Sequence, residues 1–155
     1  MKIKLFVCGK LRHGPEFRLF TKYHSRAEKI GKFINVSPVN ISEYDENKFT
    51  KFIADESFVK SFSSRCYKVL LDERGKNFSS NTFAELIRSH RDNGTAECIF
   101  FIGAADGVPA SLRDNFDEMV SFGKMVWPHF LIRVMLMEQI YRASTILAGV
   151  PYHKE

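Results

Sequence analysis

Short apolar runs recur along the chain, and the segments between them have a different hydrophobic period. The first run, KIKLFVCG at 2–9, alternates charged and apolar residues, which predicts a strand. The run ECIFFIG at 97–103 is continuous and stops at glycine, which is typical of a strand buried on both faces. Further strands are predicted at FINVSPVNI (33–41), where Pro38 weakens the pattern, at YKVLLD (67–72) and at KMVW (124–127).

Between these runs the apolar residues repeat at helical spacing. Thr82 and Glu85 fit a capping box that opens one helix, and Asn93-Gly94 fits its end, while ERGKNFSS before it predicts a loop. Because strands alternate with helices, we predict an α/β fold with helices on both faces of a five-stranded parallel sheet. Helices are predicted at 15–30, 47–62, 82–91 and 109–122, and a last helix covers 127–144.

The last helix is apolar on two sides, so it must be covered on two sides. One stripe is predicted to pack on the sheet. A neighbouring helix of the same chain or a second subunit can cover the other, and because this helix is the chain's last element we favour a homodimer. The first stripe comprises Ile132, Leu136, Ala143, Ile146 and Leu147, and the second comprises Val134, Met137, Tyr141 and Ala148.

Composition narrows the class of protein. With 155 residues, 45% hydrophobic and 26% charged, the chain is sized for a single globular domain spanning 1–155 and is unlike a disordered segment. Cys8, Cys66 and Cys98 lack CxxC spacing, which indicates reduced thiols that pack in the interior. The N-terminal apolar run is too short for a signal peptide, and charged residues interrupt the last apolar run. We therefore expect a soluble, cytoplasmic protein with no membrane partner.

The net charge of +5 is concentrated near the beginning of the chain. On the helix predicted at 15–30, four basic residues share one side and form a ridge that could follow a phosphate backbone. A solvated charged face explains the same charge equally well. This basic ridge comprises Arg18, Lys22, Arg26 and Lys29.

Ligands of parallel sheets bind beyond the carboxyl ends of the strands, where the predicted loops 103–107 and 123–128 lie. Neither loop is a G-x-G-x-x-G dinucleotide fingerprint, and no glycine loop is followed by a Walker lysine. Paired metal-ligand spacing and G-x-S-x-G are also absent, so a metal site and a serine hydrolase have no support.

Several features occur together along the whole chain. The opening strand ends in Gly9-Lys10, Leu71-Asp72 precedes Gly75-Lys76, and the strand ending at Gly103 is followed by Gly107. The C-terminal third carries the most specific ones, which are Pro128-His129, Arg133-Val134, Glu138-Gln139, Tyr141-Arg142 and the tail segment PYHKE at 151–155. With this length, these features resemble the ribosomal large-subunit pseudouridine N3-methyltransferase family, a compact branch of the SPOUT methyltransferases.

The resemblance implies a C-terminal trefoil knot, a homodimer and S-adenosylmethionine bound bent in the knot. It also implies methylation of N3 of a pseudouridine in 23S rRNA of the assembled ribosome. Ala104 stands where this family usually has a second consecutive glycine. The cofactor contacts that the resemblance implies are Leu71, Gly103, Ala104, Gly123, Lys124, Met125, Val126, Trp127 and Pro128.

The resemblance gives the tail segment a chemical role. The weakly acidic N3–H of pseudouridine must lose its proton before the nitrogen attacks a methyl sulfonium, and an imidazole such as that of His153 exchanges protons near neutral pH. Tyr152 can stack on a base, and Arg142 or Lys154 can hold phosphate or stabilise an enolate-like oxygen. We therefore assign His153, Tyr152 and Arg142 as catalytic, and the basic ridge and Lys154 as RNA contacts.

Two alternatives remain open at this point. A non-catalytic ribosome- or RNA-binding module of the same fold would explain Ala104 and the acidic residues mixed into 41–51. A flavodoxin-like binder of small molecules would fit the alternation of strands and helices alone. His129 either lines the site or only satisfies a local hydrogen bond at the start of the last helix.

Overall fold

Five parallel strands form one sheet in the order β2-β1-β4-β3-β5. The computed structural model describes residues 1–55, 62, 64–104 and 107–153. The strands are β1 Lys2–Cys8, β2 Val39–Tyr44, β3 Cys66–Asn77, β4 Glu97–Ile102 and β5 Glu118–Ser121. The helices are α1 Gly14–Phe33, α2 Glu46–Ala54, α3 Ser80–Asp92 and α4 His129–Ala148, with a 3-10 turn at Ala110–Asn115. The predicted α/β class and parallel sheet are confirmed.

Helices cover both faces of the sheet, as predicted. On one face, α1, α3 and α4 pack over β1 and β4 in a cluster that includes Phe20, Phe83 and Leu136. On the other face, α2 and the segment around the 3-10 turn pack over Leu70, Ile99 and Phe101. The central strand β4 is buried along both faces, which accounts for its continuous apolar run.

Two boundaries near the first half differ from the predictions. The second strand begins at Val39 and not at 33, because Pro38 cannot donate to the ladder. The helix predicted at 47–62 ends at Ala54, where Asp55 takes an extended conformation. Most of the remainder of that prediction lies outside the described residues.

The segment predicted as a loop at 73–80 is largely strand. β3 continues to Asn77 through an irregularity between Leu71 and Lys76, after which it pairs only with β5. Gly75 makes this pairing sterically feasible, because a Cβ there would lie 2.6 Å from the backbone carbon of Met119. The following helix is capped by the side chain of Ser79, so the predicted cap at Thr82 is wrong.

The predictions for 109–127 are wrong in their element types. In place of the helix at 109–122, a 3-10 turn is followed by the four-residue strand β5, and 124–127 contains no strand. β5 has the sequence EMVS. Four residues are too few for the apolar pattern to distinguish a strand from a helical turn.

The two apolar stripes of α4 are both covered within one chain. α4 packs against α1 and α3. In the single chain, Met137 is 0% exposed and Val134 is 7% exposed. The prediction that a second subunit is needed to bury Met137 is therefore wrong, because helices of the same chain bury it, whereas Tyr141 and Ala148 of the same stripe are only half-buried. Among the helices that the structure describes, none has the length and hydropathy needed to cross a membrane.

Candidate functional site

A cavity of about 250 Å³ opens at the carboxyl ends of β4 and β5, beside the irregular part of β3. This is the edge where parallel sheets bind ligands. Its walls come from the β3 irregularity, the loop after β4, the loop after β5 and the first turn of α4. The residues that line it are Leu71, Asp72, Glu73, Arg74, Ile102, Gly103, Ala104, Gly107, Val120, Ser121, Phe122, Gly123, Met125, Val126, Trp127, His129 and Ile132.

Most of the residues predicted to contact a cofactor line this pocket. Leu71, Gly103 and Ala104 form one side of it. In the loop after β5, Gly123, Met125, Val126 and Trp127 line the pocket, whereas Lys124 and Pro128 belong to the same loop but are not among its lining residues.

The two loops are shaped by glycines and by local hydrogen bonds. After β4, the amide of Gly107 donates to the carbonyl of Ala104 at 2.9 Å. A Cβ on Gly103 would lie 3.3 Å from the carbonyl carbon of Gly107, so a larger residue would push into this turn. After β5, the hydroxyl of Ser121 donates to the carbonyl of Gly123 and accepts from its amide. These contacts hold both loops at the pocket.

The sequence did not identify the charged residues of the pocket. Asp72 lies at the β3 irregularity with a side chain only 4% exposed, and its carboxylate is 3.4 Å from Arg74 Nη1 and 3.7 Å from Arg113 Nε. Arg113 also donates to the carbonyl of Val108 at 3.1 Å, which ties the loop after β4 to β3. Asp72, Glu73 and Arg74 lie in the register shift between Leu71 and Lys76 and line the cavity.

His129 belongs to the pocket wall. A Cβ on Gly9 would lie 3.4 Å from its Nε2, and its ring packs on Phe130 with centroids 4.1 Å apart. Burial lowers the pKa of His129, the positive charge of Arg133 lowers it further, and Glu46 acts in the opposite direction. The imidazole is therefore neutral at pH 7.

The residues predicted to be catalytic come together in a tail cluster on the second half of α4. Glu138 Oε1 accepts from Arg142 Nη2 at 2.6 Å and from the Tyr152 hydroxyl at 3.0 Å. Arg142 Nη1 lies 3.3 Å from His153 Nδ1. Glu138 and Arg142, four residues apart on the helix, thus form an i, i+4 ion pair.

The turn after α4 brings the tail segment back onto the helix. Gly149 has a left-handed conformation, with φ at 65°, and Val150 donates to the carbonyl of Thr145. The ring of Tyr152 then packs 4.5 Å from that of Tyr141 and under the guanidinium of Arg142. Burial, together with hydrogen bonding to Tyr23 and Glu138, raises the pKa of Tyr152, so its hydroxyl is protonated and donates.

The tail cluster does not line the pocket of its own chain. At about 1.5 Å of rise per residue, Arg142 lies about 20 Å along the axis of α4 from His129. Tyr152 and His153 contact residues near Arg142 and are not among the residues that line the pocket. The predicted cofactor contacts and the predicted catalytic residues therefore form two separate groups in a single chain.

The basic ridge is exposed along α1, as its periodicity predicts. Arg18, Lys22, Arg26 and Lys29 are all accessible to solvent. Arg26 lies 5.8 Å above the ring of Tyr141, so the ridge runs alongside the tail cluster. Lys154, the other predicted RNA contact, lies outside the described residues.

In the part of the chain that is described, no group of three or more His, Cys, Asp or Glu side chains could hold a metal ion.

Comparison with known proteins agrees with this architecture. A family model described as "Predicted SPOUT methyltransferase" matches residues 1–153. A protein of Paracoccus denitrificans named "Ribosomal RNA large subunit methyltransferase H" is 43% identical over 156 residues, covering 100% of both chains. Proteins of the same name from Cereibacter sphaeroides and Ruegeria pomeroyi are 44% and 41% identical, and each match covers 99% of both chains. The chain belongs to the SPOUT methyltransferase family.

Proposed function

We propose that this protein methylates N3 of a pseudouridine in 23S rRNA of the assembled ribosome, with S-adenosylmethionine as the methyl donor. The observation that carries the proposal is the pocket at the carboxyl edge of the sheet in a chain whose full-length relatives are named as ribosomal RNA large-subunit methyltransferases. We further propose that residues 1–155 form one domain, that the loops after β4 and β5 belong to the family's trefoil knot and that the protein acts in the cytoplasm.

The residues of the pocket fit S-adenosylmethionine. Leu71, Ile102 and Trp127 offer apolar surface for an adenine ring, and the carboxylates of Asp72 and Glu73 suit a ligand with cationic groups. Ala104 is half-buried at the pocket wall, so the methyl group in place of a second glycine is already accommodated. When bound, the cofactor would supply the electrophilic methyl group.

In a single chain the predicted catalytic residues Arg142, Tyr152 and His153 do not line the first pocket. Because the tail cluster lies about 20 Å along α4 from the start of that helix, we propose that the tail segment of one subunit completes the pocket of the other. A second cavity of about 530 Å³ lies beside the first and shares Val120, Ser121 and Phe122 with it. Its further lining includes Leu19, which is 42% exposed, and we propose that the partner subunit covers this surface.

The tail cluster supports a specific division of roles. With Arg142 donating to His153 Nδ1, a neutral His153 carries its hydrogen on Nε2, and that nitrogen is buried without a hydrogen-bond partner among the described residues. We propose that this nitrogen donates to an oxygen of the target base when the tail segment meets the pocket of the partner subunit. Tyr152 offers a ring for stacking, and Arg142 provides positive charge for an oxygen of the target base.

RNA binding outside the pocket is assigned to the basic ridge and to Lys154. The ridge lies beside the tail cluster, so one RNA strand can follow the ridge while its target base reaches the pocket of the partner subunit.

A non-catalytic ribosome-binding module of the same fold is the alternative. The pocket argues against it, because a module that only binds RNA has no need of a cavity with apolar walls and the buried carboxylate of Asp72.

The direct test is transfer of tritium from labelled S-adenosylmethionine to ribosomes. We expect transfer to ribosomes whose 23S rRNA contains the pseudouridine, and none to ribosomes from a strain that lacks the corresponding pseudouridine synthase. Nuclease digestion and chromatography should place the label at N3. Binding of ribosomes without transfer at any cofactor concentration would support the non-catalytic module.

A further inference from the structure

Arg133 is a buried charged residue of α4 that binds to residues at the ends of β1 and β2. Its side chain is 1% exposed. Nη1 donates to Glu43 Oε1 at 2.8 Å, and Nη2 donates to the carbonyls of Cys8 and Gly9 at 2.9 and 2.8 Å. One guanidinium therefore fixes the first turns of α4 to the carboxyl ends of both β1 and β2. A buried ion pair contributes little net stability compared with apolar residues of similar size, so its value here is in placement.

The backbone turn at Gly9, which Arg133 binds, packs against His129. Gly9 has a φ of +84°, a left-handed conformation that favours glycine, and its amide donates to the carbonyl of Tyr44. A Cβ at Gly9 would lie 3.3 Å from the ring of Phe130 and 3.4 Å from His129 Nε2, so the backbone turn and these two rings are in direct contact. Arg133 holds the carbonyl of the same glycine. It follows His129 by four residues, so both project from one side of α4.

The charges around His129 come from several elements. Arg133 on α4 disfavours a second positive charge, and Glu46 on α2 favours one. Glu43 on β2 neutralises part of the charge of Arg133. Asp72, Glu73 and Arg74 line the same pocket as His129.

We infer that Arg133 is a positioning residue of the pocket, which fixes the His129 ring against the Gly9 turn and places a buried positive charge four residues away on the same side of α4. The inference rests on the proposed function, because the consequence concerns a cationic ligand. The sulfur of S-adenosylmethionine is positively charged, and a protonated imidazole in the pocket wall would repel it. Burial of the His129 ring and, second to it, the charge of Arg133 lower the pKa of His129 and so keep this wall of the pocket uncharged, although Arg133 is not among the residues that line the pocket.

The affinity for S-adenosylmethionine should therefore depend on pH, and it should fall on acidification. Because the pKa of His129 is lowered, the ring becomes charged only below the ordinary histidine range. Below that pKa the affinity for S-adenosylmethionine should fall by up to about tenfold for each pH unit. S-adenosylhomocysteine has a neutral sulfur, so its affinity should stay nearly constant over the same pH range.

The first test is an NMR titration of the imidazole signals in the free protein, with His129 assigned from the His129→Gln variant. In Arg133→Met the pKa of His129 should rise toward its ordinary value, because the nearby positive charge is gone. In Glu43→Gln it should fall further, because the charge of Arg133 is less neutralised. Loosened packing alone would move both variants in the same direction, toward the ordinary value.

A matched control and a second variant keep the titration decisive. Arg88→Met breaks an exposed ion pair with Glu85 on α3 and should leave His129 unchanged. If Arg133→Met does not fold, Glu43→Gln decides alone, and an unchanged or raised His129 pKa in that variant overturns the inference.

The second test compares the two ligands by calorimetry across pH. We expect the wild-type protein to lose affinity for S-adenosylmethionine on acidification while its affinity for S-adenosylhomocysteine is preserved, with the loss beginning at higher pH in Arg133→Met. Parallel pH profiles for the two ligands would overturn the inference. Failure of both ligands to bind at any pH would refute the proposed function, and the NMR titration would still decide the role of Arg133.

Discussion

Glu138 Oε1 accepts hydrogen bonds from Arg142 and from Tyr152, so one carboxylate oxygen orients two residues of the tail cluster. The pair with Arg142 is predictable from the sequence, because residues four apart on a helix are neighbours. The bond to Tyr152 is not predictable in the same way. It depends on the left-handed turn at Gly149, which sends the chain back along α4, and a sequence pattern does not give the direction of such a turn.

Replacing Glu138 by Gln should impair catalysis and spare the cofactor pocket. Without the negative charge, Arg142 and Tyr152 lose their common anchor, and a displacement of about 1 Å at reacting groups can cost about a hundredfold in rate. We expect methyl transfer to ribosomes to fall by about that factor while calorimetric affinity for S-adenosylmethionine stays within about twofold. Glu85→Gln, which removes the acid of an exposed pair on α3, is the control. Equal transfer rates for the two variants would contradict the role of Glu138.

At the scale of elements, long and strongly patterned segments were predictable and short ones were not. β1, β4, α1 and α4 follow from alternation, a continuous apolar run and helical periodicity. β5 has only four residues, and the second half of β3 is polar, so their pairing comes from the sheet and leaves little trace in the sequence. The charged wall at Asp72–Arg74 was missed for the same reason, because it depends on the irregular pairing of β3 with β5.

The side chain of Ser79 caps the start of α3, and the stability of the protein should depend on this cap. The hydroxyl of Ser79 accepts from the amide of Thr82 at 3.0 Å, which satisfies a donor at the helix start. Ser79→Ala should lower the free energy of unfolding by about 1 kcal/mol in urea titration. Glu85→Ala should have a much smaller effect, since Glu85 pairs with Arg88 in solvent and is not part of a capping box. A larger loss of unfolding free energy for Glu85→Ala than for Ser79→Ala would instead support the capping box of Thr82 and Glu85 predicted from sequence.

The basic ridge on α1 should act on RNA alone. Reversing Arg18 and Lys22 to Glu should weaken ribosome binding and reduce its dependence on salt, because phosphate contacts release bound cations. Both side chains are exposed, so folding and the affinity for S-adenosylmethionine should not change. Filter binding at several salt concentrations measures this, with Arg88→Glu on α3 as a control for added negative charge. An equal loss of ribosome binding in the control would show that net charge, and not the ridge, is responsible.

At the scale of the whole molecule, the sequence could not show what covers each apolar surface. The second stripe of α4 has the pattern expected of an interface, but α1 and α3 of the same chain pack against this helix, and Met137 is fully buried without a partner. Periodicity reports that a face is buried and does not report which element buries it. The surface that we propose for the partner instead borders the pocket and includes the partly exposed Leu19.

In the proposed dimer, the tail segment of one subunit completes the pocket of the other. Mixed dimers test this composite site directly. Ala104→Trp fills the pocket and leaves the tail intact, whereas Tyr152→Ala with His153→Ala disables the tail and leaves the pocket intact. Each variant alone should be inactive in tritium transfer to ribosomes.

After the two variants are mixed in equal amounts and allowed to exchange subunits, half of the dimers should be mixed, and each mixed dimer holds one complete site. We predict about a quarter of the wild-type rate. Light scattering should confirm that both variants and the mixture are dimers. A mixture no more active than the separate variants would contradict the account, because it would place the tail and the pocket of each working site in the same chain.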